Sequence, residues 1–347
     1  MIRRMMCFLM IILVVSVLSG CSVKEKETVQ KKSDKEEIQI GMSFDSFVIE
    51  RWNKDKSVFV SKAVSYGAKV NVQNANGELG NQIEQIRYLI KKNMDVIVII
   101  AVDSNGLSDV VAEAKQAGIK VIAYDRLINN AEIDLYISFD NSKVGVLMAD
   151  ALINATGGKG SYLMLTGPTT DNNVKMIEDG FRNTIVNRKI GIADTMHAEN
   201  WRAECVYEYL RSHNKIVEAA NGIMCGNDNL ATQTIRYLSE VGLAGKIPVV
   251  GQDADLEACQ HIVEGTQLMT VYKPVEQLAS KAAECAVMLA KGDIGISLSN
   301  RVMSNGRYSC PYISLEPVAV DNINMNDVII KDGFHLREEV YLNVSGE

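Results

Sequence analysis

Polar residues recur directly behind short apolar runs in this chain: Asp45, Asn74, Asp103, Asp125-Arg126, Asp140-Asn141, Asp171 with Asn173, Asn227-Asp228, Asp253 and Lys273. Such a set suits a polyhydroxylated ligand. A sugar hydroxyl both donates and accepts, so carboxylates, amides and cations each satisfy one side of it, with the charge-assisted bonds the stronger. The apolar faces of a sugar ring also need flat partners. The chain has two tryptophans, and both sit among polar residues, in Glu50-Arg51-Trp52 and Glu199-Asn200-Trp201-Arg202. Two such rings can sandwich a pyranose, although a place in the core is the commoner role of tryptophan. Each polar position has a plainer alternative as well. The alternative for Asp125-Arg126 is an exposed ion pair, for Asn227 the cap of a helix starting near Asn229, for Asp140-Asn141 a hinge and helix cap, and for Asn74 and Asp103 a place on the cleft rim.

Other chemistries find less support. No carboxylate pair is singled out as acid and base, and no nucleophile motif or cofactor fingerprint occurs, so neither an enzyme nor a cofactor is expected. Gly157-Gly158-Lys159-Gly160 lacks Walker spacing and precedes a strand, which makes it a turn. His197, His213, His261 and His335 are scattered. Cys205, Cys225, Cys259, Cys285 and Cys310 are odd in number, widely spaced and without a CxxC, so neither a metal site nor a disulfide framework follows, and most should be small buried hydrophobes.

The polar residues need strands to hold them. Apolar runs predict strands at Ile38–Phe44, Lys69–Gln73, Asp95–Val102, Lys120–Tyr124, Leu135–Phe139, Ser161–Thr166, Gly222–Cys225, Ile247–Gly251 and Leu268–Tyr272. Val96-Ile97-Val98-Ile99-Ile100 is apolar on both faces, the habit of a parallel strand covered by helices on both sides. Helical spacing falls between the strands, at Ser57–Tyr66, Gln82–Lys92, Ser108–Ala117, Val144–Ala155, Val174–Val186, Thr232–Val241 and Leu256–Val263. Gly67, Gly118 and Gly242 stand where a helix ends in a left-handed cap. This alternation predicts an α/β protein of two doubly wound, Rossmann-like lobes joined by a hinge, with the break near Phe139-Asp140-Asn141. Parallel sheets bind ligands at the carboxyl ends of their strands, so the polar set should meet in a cleft between the lobes.

The amino terminus carries a different signal. Met1–Arg4 is basic, Met5–Leu18 is almost wholly apolar but short for a membrane span, and Leu18-Ser19-Gly20-Cys21 follows. Residues 1–20 therefore read as an export signal. The last four residues resemble the lipobox of bacterial lipoproteins, with Cys21 as the lipid-carrying first residue of the mature chain, anchored to the cell membrane outside the cytoplasm. Ser22–Glu37, rich in Lys, Glu, Gln and Ser, is too polar to offset its ordering entropy and reads as a tether. The net charge of −7 becomes more negative once Arg3 and Arg4 are removed, which argues against nucleic acid as a partner.

Seven segments carry a family resemblance: Ile49-Glu50-Arg51-Trp52, Val72-Gln73-Asn74-Ala75-Asn76-Gly77, Ala123-Tyr124-Asp125-Arg126, Tyr136-Ile137-Ser138-Phe139-Asp140-Asn141, Gly251-Gln252-Asp253-Ala254-Asp255, Thr270-Val271-Tyr272-Lys273-Pro274 and Ile330-Lys331-Asp332-Gly333-Phe334-His335. In order, they resemble D-xylose-binding periplasmic proteins, from about Ile38 to His335. The resemblance implies a type I periplasmic binding fold with three hinge crossings. One lobe would hold 38–140 and about 274–312, the other 141–273 and about 313–347. It implies a monosaccharide ligand, a pentose such as xylose, held by Arg51, Trp52, Asp125, Arg126, Asp171, Asn173, Trp201, Asn227, Asp253 and Lys273, the last at a hinge crossing. The expected partner of a monomeric receptor of this kind is an ABC permease. A membrane histidine kinase is the alternative if the protein senses sugar instead of transporting it. A lac-repressor-type regulator shares the lobes but needs a DNA-binding segment where this chain has its export signal.

Overall fold

The structure is a computed structural model and describes residues 37–293 and 295–344. The expected export signal, the lipidation site at Cys21 and all but the last residue of the tether lie outside the described residues. Thirteen strands run through the described residues: β1 (Ile38–Phe44), β2 (Ala68–Asn74), β3 (Val96–Ile99), β4 (Lys120–Tyr124), β5 (Leu135–Phe139), β6 (Lys159–Thr166), β7 (Lys189–His197), β8 (Gly222–Cys225), β9 (Val249–Gln252), β10 (Met269–Tyr272), β11 (Arg301–Ser304), β12 (Ser309–Leu315) and β13 (Val318–Val320).

They form two sheets, ordered β11-β12-β5-β4-β3-β1-β2 and β13-β10-β9-β8-β6-β7. All pairings are parallel except β11 with β12 and β10 with β13, at the far edges. The first five strands of each sheet wind in the same order, so β1, β3, β4 and β5 correspond to β6, β8, β9 and β10. Each lobe thus reverses its strand order once, between β1 and β3 and between β6 and β8, where a crevice opens at the strand ends.

Both faces of each sheet are covered, which explains the unbroken apolar runs. In the first lobe Val96, Val98, Ile122 and Tyr124 pack with Phe59, Leu278 and Ala282 of the helices Arg51–Ser65 and Val275–Ala290. Ile97, Ile99, Val121 and Ala123 face the opposite way, towards Ile86, Leu89, Val110 and Val111. In the second lobe Leu163, Leu165 and Ile223 pack with Val206, Leu210 and Leu230, while Tyr162, Met164 and Met224 meet Val144, Met148, Ile177 and Phe181. The helices Asn141–Thr156 and Asn172–Ile185 approach so closely that a Cβ at Gly145 would lie 2.0 Å from the carbonyl oxygen of Ile177.

The nine expected strands are all present, β1, β4, β5 and β8 with the expected ends and the other five with shifted ones, and four more join them. Edge strand β7 was not legible because its residues alternate between exposed and half-buried. β11 is exposed along most of its length, and β12 contains Pro311, which breaks a strand pattern. The helix Val275–Ala290 was missed because it is apolar on most of its circumference. β12 pairs with β5 as far as Leu315, opposite Phe139, and β13 then pairs with β10 of the second sheet. Gly67, Gly118 and Gly242 have φ of 80°, 79° and 73°, as their cap positions require, and Gly157 and Gly158 turn the chain from a helix into β6. Among the described residues, the five cysteines are free and four of them are buried. Also among the described residues, no helix is long and apolar enough to cross a membrane.

Candidate functional site

All ten residues implied by the resemblance line one cleft, together with Ile49 and Gln252. They arrive from strand ends on both sheets. Arg51 and Trp52 open the helix that follows β1, and Asp125 and Arg126 follow β4. Asp171 and Asn173 begin the helix after β6, Asn227 follows β8, Asp253 follows β9 and Lys273 follows β10.

Asp125 and Asp253 occupy equivalent places in the two lobes. Each follows the fourth strand of its lobe's winding, and each donates its amide to the fifth, Asp125 to the carbonyl of Ile137 at 2.8 Å and Asp253 to that of Val271 at 2.9 Å. Both have left-handed backbones, with φ of 61° and 97°. For a residue with a Cβ that conformation is strained and persists only where the surroundings over-determine it. Around Asp125 the carbonyl accepts from Ser138 Oγ at 2.7 Å and from the Tyr136 hydroxyl at 3.1 Å.

Arg51 stands between the two aspartates, 3.0 Å from Asp125 Oδ2 and 3.8 Å from Asp253 Oδ1. It is clamped from behind by Asp55, four residues along its helix, which accepts from Nε and Nη2 at 3.2 and 2.9 Å. Tyr124 also donates its hydroxyl to Asp55. Arg126 links the lobes: Nη1 donates to Asp45 Oδ2 at 2.8 Å and to the carbonyl of Ala101 at 2.9 Å, and Nε lies 2.8 Å from Asp171 Oδ2 in the second lobe. Asn173 Nδ2 reaches Asp125 Oδ1 at 2.8 Å, also across the lobes, and Lys273 Nζ lies 3.4 Å from Asp253 Oδ1.

These charges are buried, so their electrostatics are strong. Burial pushes the Asp125 carboxyl up, but Arg51, Lys273 and Arg126 together outweigh it and hold the group below the usual carboxylate value. Burial prevails at Asp45 and Asp55, whose carboxyls lie above the ordinary value despite Arg126 and Arg51. Burial also disfavours the guanidinium charges, yet the surrounding carboxylates hold Arg51 and Arg126 above their usual values, and both remain cationic.

Both tryptophans are almost fully buried at the cleft. Trp52 meets Phe44 edge-on and carries the Arg51 guanidinium over its ring at 4.5 Å. Trp201 has a left-handed backbone, φ 57°, after Asn200 at 51°, and donates Nε1 to Asp171 Oδ2 at 3.2 Å. Its ring needs glycine beneath it: a Cβ at Gly167 would lie 2.3 Å from Cζ2.

Buried polar atoms at the cleft without a hydrogen-bond partner are Trp52 Nε1, Asn173 Oδ1, Asn227 Nδ2 and Gln252 Oε1, while Asp125 Oδ2 is ion-paired with Arg51 and Asp253 Oδ1 with Lys273 and Arg51. Buried orphans are costly, and here two donors, Trp52 Nε1 and Asn227 Nδ2, and two acceptors, Asn173 Oδ1 and Gln252 Oε1, line one space, as a ligand bearing several hydroxyls requires. Asn227 has both expected roles, because its Oδ1 caps the helix Asp228–Glu240 by accepting from Leu230 N at 3.0 Å while Nδ2 stays free.

Other positions take structural roles. Asp140 caps the helix Asn141–Thr156 by accepting from Lys143 N. Asn74 and Asp103 accept amides within their own turns, from Asn76 and Asn105, and neither lines the cleft. Asp55, Ile49 and Gln252 were not anticipated. For Asp55 the available signal was its spacing of four from Arg51 on one helix face, and Gln252 lay beside Asp253 in a segment already singled out. Among the described residues, no group of three or more His, Cys, Asp or Glu side chains is placed to hold a metal ion.

The chain is 44% identical over 312 residues to the D-xylose-binding periplasmic protein of Haemophilus influenzae, covering 88% of this chain and 92% of that one. It is 42% identical over 313 residues to the protein of the same description from Escherichia coli, covering 88% and 93%. Among solved structures, the solute-binding protein of an ABC transporter from Clostridium phytofermentans, with bound β-D-glucose, superposes with a TM-score of 0.78 over 87% of this chain and 99% of that one, and at 24% identity it shows a shared fold. The periplasmic binding protein domain model matches residues 40–294, and the chain belongs to that family.

Proposed function

We propose that this protein is an extracytoplasmic receptor that closes its two lobes on one monosaccharide, D-xylose, and delivers it to an ABC permease. The observation that carries the reading is the set of unpartnered donors and acceptors, contributed by both lobes, that lines one cleft together with Trp52 and Trp201. The identity to two D-xylose-binding relatives over most of the chain supports the choice of sugar. The ligand closes the molecule because its hydroxyls bond Asp125 on one lobe and Asn173, Asn227 and Asp253 on the other, so it favours the closed form by differential affinity. The permease then recognises that form. No step breaks a covalent bond in the sugar, and the buried carboxylates serve as acceptors. Cys21 carries the lipid that retains the receptor at the membrane, and the receptor acts as a monomer.

Isothermal titration of the body that follows the tether, with xylose, ribose, arabinose, glucose and galactose, tests the reading. One-to-one binding that favours xylose and changes tryptophan emission is the expected result. Preference for another of the five would refute xylose, and no binding of any would refute the sugar cleft. Metabolic labelling of the full chain with a radioactive fatty acid, compared with Cys21→Ser, tests the anchor.

A further inference from the structure

Behind the cleft lies a carboxyl group that does not line it. Asp228, at the start of the helix Asp228–Glu240, is completely buried and accepts three hydrogen bonds. Thr270 Oγ1 donates to Oδ2 at 2.7 Å, the Asp255 amide donates to Oδ2 at 3.1 Å, and Gln267 Nε2 donates to Oδ1 at 3.0 Å. The carboxyl group presses against β9, where a Cβ at Gly251 would lie 2.1 Å from Oδ1.

Two of these donors lead to the turn that carries Asp253. Thr270 Oγ1 gives its proton to Asp228 and takes the amide proton of Ala254, at 3.2 Å. The next amide, that of Asp255, bonds Asp228 directly. The turn is strained, with φ of 97° at Asp253 and 56° at Ala254. Such a pair holds only where neighbouring groups leave no alternative. With Asp228 in place, the Thr270 hydroxyl proton has a fixed destination, and the oxygen lone pair is aimed at Ala254. His335 Nε2, 2.7 Å from the Ala254 carbonyl, supports the turn from the other side.

We propose that Asp228 is a positioning residue of the binding site: through Thr270 and the Asp255 amide it locks the strained turn that points the Asp253 carboxylate into the cleft. Affinity for the ligand then depends on a side chain the ligand never meets. This rests on the reading of the cleft as a sugar site.

The test uses D-xylose titration of the wild type, Thr270→Val, Asp228→Ala, Asp253→Asn and the double variant Asp228→Ala/Asp253→Asn. Thr270→Val conserves volume and serves even if Asp228→Ala fails to fold; in that case its own combination with Asp253→Asn replaces the double variant. Thr270→Val and Asp228→Ala should each weaken binding by roughly tenfold or more, and the double variant should bind no more weakly than Asp253→Asn alone, because the three residues act through one carboxylate. A purely structural role would instead give losses that add to that of Asp253→Asn, or lower thermal stability with affinity intact, and either result overturns the proposal. Hydrogen exchange gives a readout without ligand: the amides of Ala254 and Asp255 should lose protection in Thr270→Val while the strand amides keep theirs, and unchanged protection overturns the lock. A wild type that binds no xylose would overturn the sugar reading itself, an outcome distinct from a binding wild type whose variants are unaffected.

Discussion

Replacing Ser104 by alanine removes a hydrogen bond that joins the lobes at a point away from the ligand-facing side chains. Ser104 follows β3 in the first lobe. Its amide donates to the carbonyl of Thr170 at 2.9 Å, and its Oγ accepts the amide of Asn172 at 3.0 Å, both in the second lobe at the start of the helix Asn172–Ile185. The residue is anchored in its own lobe by the Asn129 amide, which donates to its carbonyl at 2.7 Å. With the lobes apart, water serves the Asn172 amide in wild type and variant alike, so Ser104→Ala penalises only the closed form. The backbone bond to Thr170 survives, and the loss is that of one neutral hydrogen bond, about 0.5–1.5 kcal/mol net. Since ligand binding is coupled to closure, that converts to a roughly 2- to 12-fold weaker apparent affinity for D-xylose. The assay is isothermal titration of both proteins, with thermal unfolding of the unliganded forms as the control. Unchanged affinity would refute the coupling, and so would a fall in affinity matched by an equal loss of unliganded stability.

Two further outcomes follow from close contacts and buried charge. Gly167→Ala places a methyl group 2.3 Å from the Trp201 ring, so the indole must shift; xylose affinity should fall by roughly 2- to 12-fold, the worth of one aromatic contact, with altered tryptophan emission, and full affinity in a fluorescence titration would remove Trp201 from the ligand's surroundings. Burial pushes the Asp228 carboxyl from 3.8 up to about 8. The folded protein therefore keeps a proton that the unfolded chain releases, and the wild type should lose stability relative to Asp228→Asn as pH rises from about 4 to about 8; urea unfolding of both proteins at pH 5 and pH 8 measures this, and parallel pH profiles would contradict the assignment.

Much of the site was legible before any coordinates. An apolar run of four or five residues followed by Asp, Asn, Arg or Lys marks the carboxyl end of a parallel strand, and a parallel sheet puts all those ends along one edge. Hence Asp125, Arg126, Asp171, Asn173, Asn227, Asp253 and Lys273 could be named from position alone, while Arg51 and Trp52 were assigned through a family segment. Signals on the solvent-facing edge were weaker, because β7 and β11 bury too little to show a pattern. The helix Val275–Ala290 returns to cover the first sheet from far along the chain, and its apolar surface does not reveal which sheet it serves.

The sequence by itself determined the α/β class, the two-lobe arrangement and the identity of the polar residues at the strand ends, because local apolar patterning dictates which segments become strands and helices. Only the tertiary structure decided which charges meet. Arg126 pairs with Asp45 and Asp171, Arg51 stands between Asp125 and Asp253, and Asp228 braces a turn it does not belong to. Such pairings depend on distances of a few ångströms between segments tens to hundreds of residues apart, and the burial that makes them strong exists only once two sheets and their helices have packed.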